Sequence, residues 1–238
     1  MPTATIESID GDGRGVARID GKVTFVEGAL TGEVVNFNLR KQKSSHNIAT
    51  LTKLIEASAE RVKPRCKSFG LCGGCSMQHI NMKAQVSAKQ RVLEENFLRI
   101  AKTKPDVIYA PIYGQDWEYR TRARLSARYV RKRDEVLVGF RERNSSFVTD
   151  MKSCNVIPKE ASSLLVPLRK LISSFSIADK IPQIELAISE FGISMIFRNM
   201  SELSDTDTVE LRKFSDYYKI QVYLQPSGLD SVFLFNNW

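Results

Sequence analysis

The chain has 238 residues, enough to bury a substantial core in one or two domains. Its 35 Lys and Arg residues outnumber its 27 Asp and Glu residues, and this net charge of +8 favours a polyanionic partner such as nucleic acid. The first ten residues lack the basic and apolar regions of a secretory signal, and no apolar run is long enough to span a bilayer. We therefore expect a cytoplasmic protein without a membrane partner, in which clustered cysteines stay reduced.

Residues 1–58 alternate short apolar stretches with Asp-Gly and Thr-Gly pairs, a pattern typical of β-strands joined by tight turns. About five short strands in this length predict a small closed β-barrel of the OB type, a shape that often binds RNA. Arg40 and Lys41 lie in one predicted hairpin, close to Lys43 and His46. Arg40 and Lys41 are candidate RNA contacts, although any exposed hairpin can carry three positive charges.

The cysteine-rich segment of residues 59–80 shows no regular period and is expected to be irregular. A helix is predicted to follow it, because apolar residues recur at helical spacing after Asn81, which can cap the helix, and before Pro105, which would stop it. The apolar stripe consists of Met82, Val86, Leu93, Phe97 and Ile100. We expect this stripe to pack into the core of the protein.

A second basic segment begins at Trp117 and is predicted to form β-structure. Three of its arginines occupy every second position, so a strand would place all three guanidinium groups on one face, where they could bind several phosphates. The charged run 131–135 is typical of a hairpin tip. The candidate RNA contacts in this segment are Arg120, Arg122, Arg124, Arg131 and Lys132. The alternative is a solvated sheet face without a ligand.

The rest of the chain is predicted to mix helices and strands. Residues 159–180 are expected to be helical, and two strands, a helix and a further strand are expected to follow. This order indicates an α+β domain with a mostly antiparallel sheet. The predicted domains are therefore residues 1–58 and residues 59–238.

The four cysteines have a spacing that favours an inorganic site. Cys66, Cys72 and Cys75 form C-x5-C-x2-C, and Cys154 follows much later. Four thiolates suit a zinc ion or an iron–sulfur cluster. Structural zinc sites usually have two closely spaced cysteine pairs, so three clustered cysteines and one distant cysteine favour a cluster. The glycines between Cys72 and Cys75 would let backbone N–H groups approach sulfide. Zinc stays open as an alternative, and a nucleophilic Cys154 is less well supported because both histidines are remote in the sequence.

Several segments together resemble the iron–sulfur 23S rRNA (uracil-5-)-methyltransferases. The resemblance is carried by DGDGRGVARIDGKVTFVEGALTGE, RVKPRCKSFGLCGGCSMQH, YRTRARLSARYV and LVGFRERNSSFVTDMKSCNVIP. It implies an N-terminal TRAM domain of the OB type, a central domain with a 4Fe-4S cluster, and a C-terminal Rossmann-like domain that uses S-adenosylmethionine. It makes the cluster ligands Cys66, Cys72, Cys75 and Cys154. It also places Gln78 and His79 beside the cluster, where they either contact RNA or orient the loop.

The resemblance further implies a catalytic cysteine and a cofactor-binding loop in the C-terminal domain, and neither has a counterpart in this sequence. We therefore expect a TRAM barrel followed by an α+β domain, with the catalytic Rossmann-like domain absent and S-adenosylmethionine bound only in that missing domain. The predicted function is the RNA-recognition and iron–sulfur part of an rRNA uracil-C5-methyltransferase, with 23S rRNA as the partner, no protein partner evident and no catalysis by this chain alone. The alternative is a stand-alone iron–sulfur or zinc RNA-binding module without enzymatic activity.

Overall fold

Two compact units make up the described part of the chain. The computed structural model describes residues 2–226 and 228, and the backbone of residues 232–235. The first unit comprises the residues up to Gly70 together with Cys75–Tyr113, and the second comprises Leu71–Gly74 together with the residues from Gly114 onward. The predicted boundary after residue 58 divides the first unit more finely than this, and it stays a prediction.

The first unit contains a six-stranded sheet. Its strands are β1 (Thr3–Thr5), β2 (Ser8–Ile9), β3 (Gly15–Ile19), β4 (Lys22–Glu27), β5 (Val34–Gln42) and β6 (His46–Glu56). Their order across the sheet is β1-β5-β6-β4-β3-β2, and every neighbouring pair is antiparallel except β4 and β6, which are parallel. One face buries a small apolar core that consists of Ala4, Ile6, Ala17, Val26, Ala29, Val35, Phe37 and Ala49.

The expected closed barrel is wrong, because this sheet is open. Its two edges are β1 and β2, and within the described residues each of them pairs with a single neighbouring strand. Closure of a barrel requires a ladder between the first and last strands of the sheet. The two edge strands are only three and two residues long, and no ladder joins them within the described residues. Sequence patterning identified the strands but not this lack of closure.

The predicted helix forms, but it does not lie in the core. Helix α1 (Met82–Arg99) begins where the side chain of Asn81 accepts a hydrogen bond from the Ala84 N–H, at 2.8 Å. No residue of α1 is fully buried, and Leu93 and Ile100 are 51% and 76% exposed. The expectation that its apolar stripe packs into the core is therefore not met. Helical periodicity predicts a shared face, but it does not specify what covers that face.

The described residues of the second unit contain another six-stranded sheet, three α-helices and a short 3-10 helix at Ala178–Lys180. Its elements in chain order are β7 (Arg122–Val130), β8 (Glu135–Gly139), α2 (Lys159–Ser162), α3 (Leu165–Ser173), β9 (Gln183–Ser189), β10 (Gly192–Arg198), α4 (Asp205–Tyr218), β11 (Ile220–Gln225) and β12 (Val232–Phe235). The strand order is β12-β11-β10-β9-β7-β8. Strands β10 and β11 are parallel and the other neighbours are antiparallel, so this sheet is also mixed. The predicted α+β domain with a mostly antiparallel sheet is corrected to one with a mixed sheet, because α4 connects β10 to β11 as a crossover, which makes these two strands parallel.

The helices of the second unit cover one face of its sheet. Helix α3 packs against β8 and α4 packs against β11. The side chains beneath them are buried, and they include Leu125, Ile184, Met195, Phe197 and Val222 from the strands and Leu168, Ile172 and Leu211 from the helices. The opposite face carries none of the described helices. Within the described part of the chain, every helix is also too short or too polar to cross a lipid bilayer.

Candidate nucleic-acid interface

Strand β7 presents its arginines on the uncovered side of the second sheet. Leu125 and Ala127 are 1% and 6% exposed and point into the core, so the intervening positions point the other way. Arg122, Arg124 and Arg128 occupy that outer face and are exposed. The alternation in the sequence thus places Arg122 and Arg124 as expected and adds Arg128, which sequence reasoning did not single out.

Arg120 lies just before β7 and has a different environment. Its Nη2 atom donates a hydrogen bond to the Gly74 carbonyl oxygen at 3.1 Å, and its guanidinium carbon lies 5.5 Å from the centre of the Phe140 ring. The side chain is half-buried by these contacts. Arg120 therefore holds residues 71–74 in place within the second unit, and it does not extend the exposed arginine row.

Cross-strand register defines the rest of this surface, which we call the open sheet face. Arg122, Arg124 and Ser126 pair with Ala187, Glu185 and Gln183 of β9, and the same side continues across β10 and β11. All of its members are exposed or half-buried. They are Arg122, Arg124, Ser126, Arg128, Gln183, Glu185, Ala187, Ser194, Ile196, Arg198, Gln221, Tyr223 and Gln225.

A depression of about 640 Å³ lies in the open sheet face. Ala187, Ile196 and Tyr223 contribute apolar surface to its lining, and Arg122 and Arg124 contribute positive charge. Arg124 Nη2 forms an ion pair with Glu185 Oε1 at 3.1 Å, so part of that charge is neutralised. The depression therefore combines an apolar lining with cations, a combination that suits a planar, anionic ligand.

The turn between β7 and β8 carries the predicted hairpin tip. Residues 131–134 form the turn, and Arg131 and Lys132 are exposed there. Arg133 instead forms ion pairs with Asp150 at 2.8 Å and with Glu135 at 3.4 Å. Hydrogen bonds from Arg133, and also from Arg169, lower the pKa of Asp150 against the opposing effect of burial. Arg131 and Lys132 thus supply the positive charge that this tip presents to solvent.

A second basic surface lies on the first unit. Arg40 and Lys41 are exposed on β5, and Arg40 forms an ion pair with Glu27 at 2.9 Å. Nearby strands carry a half-buried Phe25, whose ring centre is 4.7 Å from the guanidinium carbon of Arg14. Phe25 also packs edge-on against His46, with 5.5 Å between the ring centres. Sequence reasoning missed Phe25 and Arg14, because only the fold brings Phe25 of β4 together with His46 of β6 and with Arg14, which lies just before β3.

In the cysteine loop, the first unit holds Cys66 and Cys75. The Cys66 N–H donates to Gln78 Oε1 at 3.2 Å. His79 is 3% exposed, and its ring centre lies 5.4 Å from that of Phe69. These contacts favour the loop-orienting role over RNA contact for Gln78 and His79.

The second unit holds Cys72 and Cys154, both of which are buried. The Gly74 N–H points at Cys72 Sγ at 3.4 Å, and the Gly73 N–H donates to the Arg141 carbonyl at 2.9 Å. A Cβ atom on Gly73 would lie 3.0 Å from that carbonyl oxygen, so a larger residue would force these two backbone segments slightly apart. The Cys154 N–H donates to Ser162 Oγ at 2.8 Å. Among the described residues, no three or more His, Cys, Asp or Glu side chains are grouped so that they could hold a metal ion.

Comparison with known proteins adds to this geometry. Residues 3–44 match the model of the TRAM domain. The whole chain is similar to proteins named 23S rRNA (uracil(1939)-C(5))-methyltransferase RlmD. The identity is 50% to the protein of Aromatoleum aromaticum and 49% to that of Azoarcus sp. (strain BH72), over 96% and 98% of this chain. The chain spans about half the length of these relatives, 53% and 54% respectively.

The fold is also similar to a solved structure. The crystal structure of the Pyrococcus abyssi tRNA (uracil-54, C5)-methyltransferase, in complex with S-adenosyl-L-homocysteine, covers 99% of this chain with a TM-score of 0.64 and 20% identity. The alignment takes in 54% of that protein. The expectation of an absent catalytic domain was drawn from the lack of counterparts in this sequence to the catalytic cysteine and the cofactor-binding loop of the family. It is withdrawn, because nearly the whole of this chain aligns with part of the fold of this solved methyltransferase.

Proposed function

We propose that this chain functions in the methylation of uracil C5 in 23S rRNA, and that its described residues recognise the RNA. The observation that carries the proposal is the identity of about half of its residues, over nearly all of its length, to proteins named for that reaction. The TRAM domain match and the net charge of +8 support an RNA partner. The proposed methyl donor is S-adenosylmethionine, in keeping with the S-adenosyl-L-homocysteine bound to the Pyrococcus abyssi methyltransferase of similar fold.

The proposed RNA contacts are cations that face solvent on the two units. They are Arg122, Arg124, Arg131 and Lys132 on the second unit, and Arg40 and Lys41 on the first. Such side chains bind phosphates and release counterions, which makes the affinity depend on salt. The remaining predicted contacts, Arg120, Gln78 and His79, are proposed to position the cysteine loop instead, because each of them contacts residues of its own unit.

Deletion of the gene that encodes this chain is expected to remove one 5-methyluridine from 23S rRNA. The measurement is mass spectrometry of nucleosides and of nuclease fragments from the rRNA of the parent and deletion strains. Restoring the gene on a plasmid should restore the modified fragment, which controls for indirect effects of the deletion. An unchanged 5-methyluridine content in 23S rRNA would contradict the proposed reaction.

We further propose that Cys66, Cys72, Cys75 and Cys154 hold a 4Fe-4S cluster. The donor set fits this group, because thiolates are its usual ligands and an N–H group directed at a ligand sulfur, as Gly74 is at Cys72, tunes its potential. The described arrangement by itself groups no three metal-binding side chains, so the proposal rests on the donor chemistry and the cysteine spacing. The cluster would restrain the loop, since methyl transfer to uracil involves no change of oxidation state.

Protein purified without oxygen is expected to contain iron and acid-labile sulfide in equal amounts. Replacing Cys154 with serine should lower both strongly, because a ligand is lost. The neighbouring substitution Ser153→Ala is the control and should leave both unchanged. Stoichiometric zinc without iron would instead support the zinc alternative and overturn the cluster.

A further inference from the structure

We propose that the open sheet face binds single-stranded RNA, with one unstacked base lying in its depression over Ile196 and Tyr223. This inference rests on the proposed function, since it specifies the form of RNA that one of the proposed surfaces accepts. It goes beyond that function by assigning a role to residues of β10 and β11, which the arginine row alone does not include.

The lining of the depression indicates the kind of group that fits. Ile196 pairs with Tyr223 of β11 in the cross-strand register, so these two side chains form one apolar surface, which Glu185 of β9 borders. The outside of an RNA duplex offers phosphates, sugars and base edges, none of which benefits from an apolar surface. The faces of bases become available only where the strand is unpaired, and such bases stack readily on aromatic side chains.

The charges around the depression suit the backbone of the same strand. Arg122 and Arg128 are exposed, and neither forms an ion pair with a carboxylate of the described residues. Successive outward positions of a strand are ~6.8 Å apart, so these two arginines lie ~20 Å apart along β7. A ligand that contacts both must therefore be extended, as a single strand of several nucleotides is. Arg124 lies between them and is partly neutralised by Glu185.

A polar pair borders the apolar surface. The Ser194 hydroxyl donates to Gln221 Oε1 at 2.7 Å, which leaves the amide nitrogen of Gln221 as a donor and the Ser194 oxygen as an acceptor. A base lying over Ile196 would bring its edge towards this pair. The depression therefore offers stacking surface, hydrogen-bonding groups and flanking cations, the three features that recognition of an unpaired base requires.

A protein partner is the other class of ligand that an apolar depression could accept. The observations favour RNA, because the charged residues of the face are Arg122, Arg124, Arg128, Arg198 and a single carboxylate, Glu185. An apolar peptide segment has no use for the row of arginines along β7, whereas RNA has phosphates that this row can bind. A protein partner is therefore an outcome that the test below can reveal.

The first measurement leaves the protein unchanged. The affinity of the full chain is measured for a 12-nucleotide single-stranded RNA, for the same strand in a duplex, and for a series in which each base in turn is replaced by an abasic nucleotide. We expect the single strand to bind about 10-fold more tightly than the duplex, and at least one abasic position to weaken binding about 10-fold. Equal affinity for both forms with no effect of any abasic position would overturn the inference.

Two substitutions then locate the effects. Tyr223→Leu keeps an apolar side chain but removes the ring. An abasic position should therefore weaken binding much less in this variant than in the original protein, whereas Tyr217→Leu on α4 should leave the effect of the abasic position unchanged. Arg122→Glu should weaken binding of every RNA and lower its salt slope by about 1, whereas Lys213→Glu on α4 changes the charge equally and should not. If Arg122→Glu weakens binding while abasic positions have no effect, RNA recognition by this face stands and base stacking is excluded. If the chain binds neither the single strand nor the duplex, RNA recognition by this face and base stacking are both overturned, and a protein partner is favoured for the depression.

Discussion

Replacing Glu33 with alanine is expected to lower the free energy of unfolding of the first unit by about 3 kcal/mol. The Glu33 side chain is fully buried and accepts hydrogen bonds from Arg61 Nε at 2.5 Å and Nη2 at 2.7 Å, as well as from the Leu30 N–H at 2.8 Å. Without the carboxylate, the guanidinium and the backbone donor lose their partner in a place that water reaches poorly. Hydrogen exchange at the amides of β5 measures the loss.

The same carboxylate should make the first unit sensitive to acid. Burial acts to raise the pKa of Glu33, but the hydrogen bonds from Arg61, Leu30 and Ser58 outweigh it, so the pKa lies below its ordinary value. A lowered pKa stabilises the fold above the ordinary glutamate pKa, and this stabilisation is lost as the pH falls through the folded-state value. Glu33→Gln should remove that part of the pH dependence. The control for Glu33→Ala is Glu95→Ala, which breaks an exposed ion pair on α1 and should lower the free energy of unfolding by less than about 1 kcal/mol. If Glu33→Ala and Glu95→Ala lower it equally, the role of burial is contradicted.

Replacing Asp207 with alanine is expected to destabilise the second unit by about 2 kcal/mol. Asp207 is 2% exposed and accepts hydrogen bonds from the Ser176 N–H at 2.9 Å and from the Ser176 hydroxyl at 2.5 Å. It also completes the capping box at the start of α4 with Ser204, so the substitution removes a helix cap and a tertiary link together. Urea unfolding followed by far-ultraviolet circular dichroism measures the change.

Asp205→Ala is the matched control, because Asp205 lies in the same first turn of α4 but is exposed. It loses the same charge near the helix N-terminus and should cost less than about 1 kcal/mol. If the two substitutions cost the same, the effect would belong to the helix dipole and the link to Ser176 would contribute nothing.

The local features of the candidate interface can be predicted from the sequence. Which residues of different strands lie together on its surface cannot. The alternation around Leu125 predicts which side of β7 carries Arg122 and Arg124, because the side-chain period of a strand is two. The turn at residues 131–134 is likewise marked by its charged residues. Ile196 and Tyr223 join the surface only through the register of β9, β10 and β11, and pairing between strands far apart in sequence leaves no local signal.

Two expectations failed because they depended on what surrounds an element. The period of α1 is helical, but burial depends on whether another element covers its apolar side, and no described residue of the helix is fully buried. The strands of the first sheet are marked by turn residues, but closure depends on pairing between its edge strands, and no ladder joins β1 to β2 in the described part of the chain. The expectation that Arg120 joins the exposed arginines failed for the same reason, because its contact with Gly74 joins residues that lie far apart in the chain.

The assignment of residues 71–74 to the second unit has a consequence for synthesis and for dissection of the chain. These residues pair with the segment around Arg141 through hydrogen bonds from Gly73 to Arg141 and from Arg143 to Leu71. They leave the ribosome long before that segment, so the second unit cannot complete its fold until its later strands have been made. A protease cut near residue 113 would also not release the second unit intact, because a piece that begins at Gly114 lacks four of its own residues, Cys72 among them.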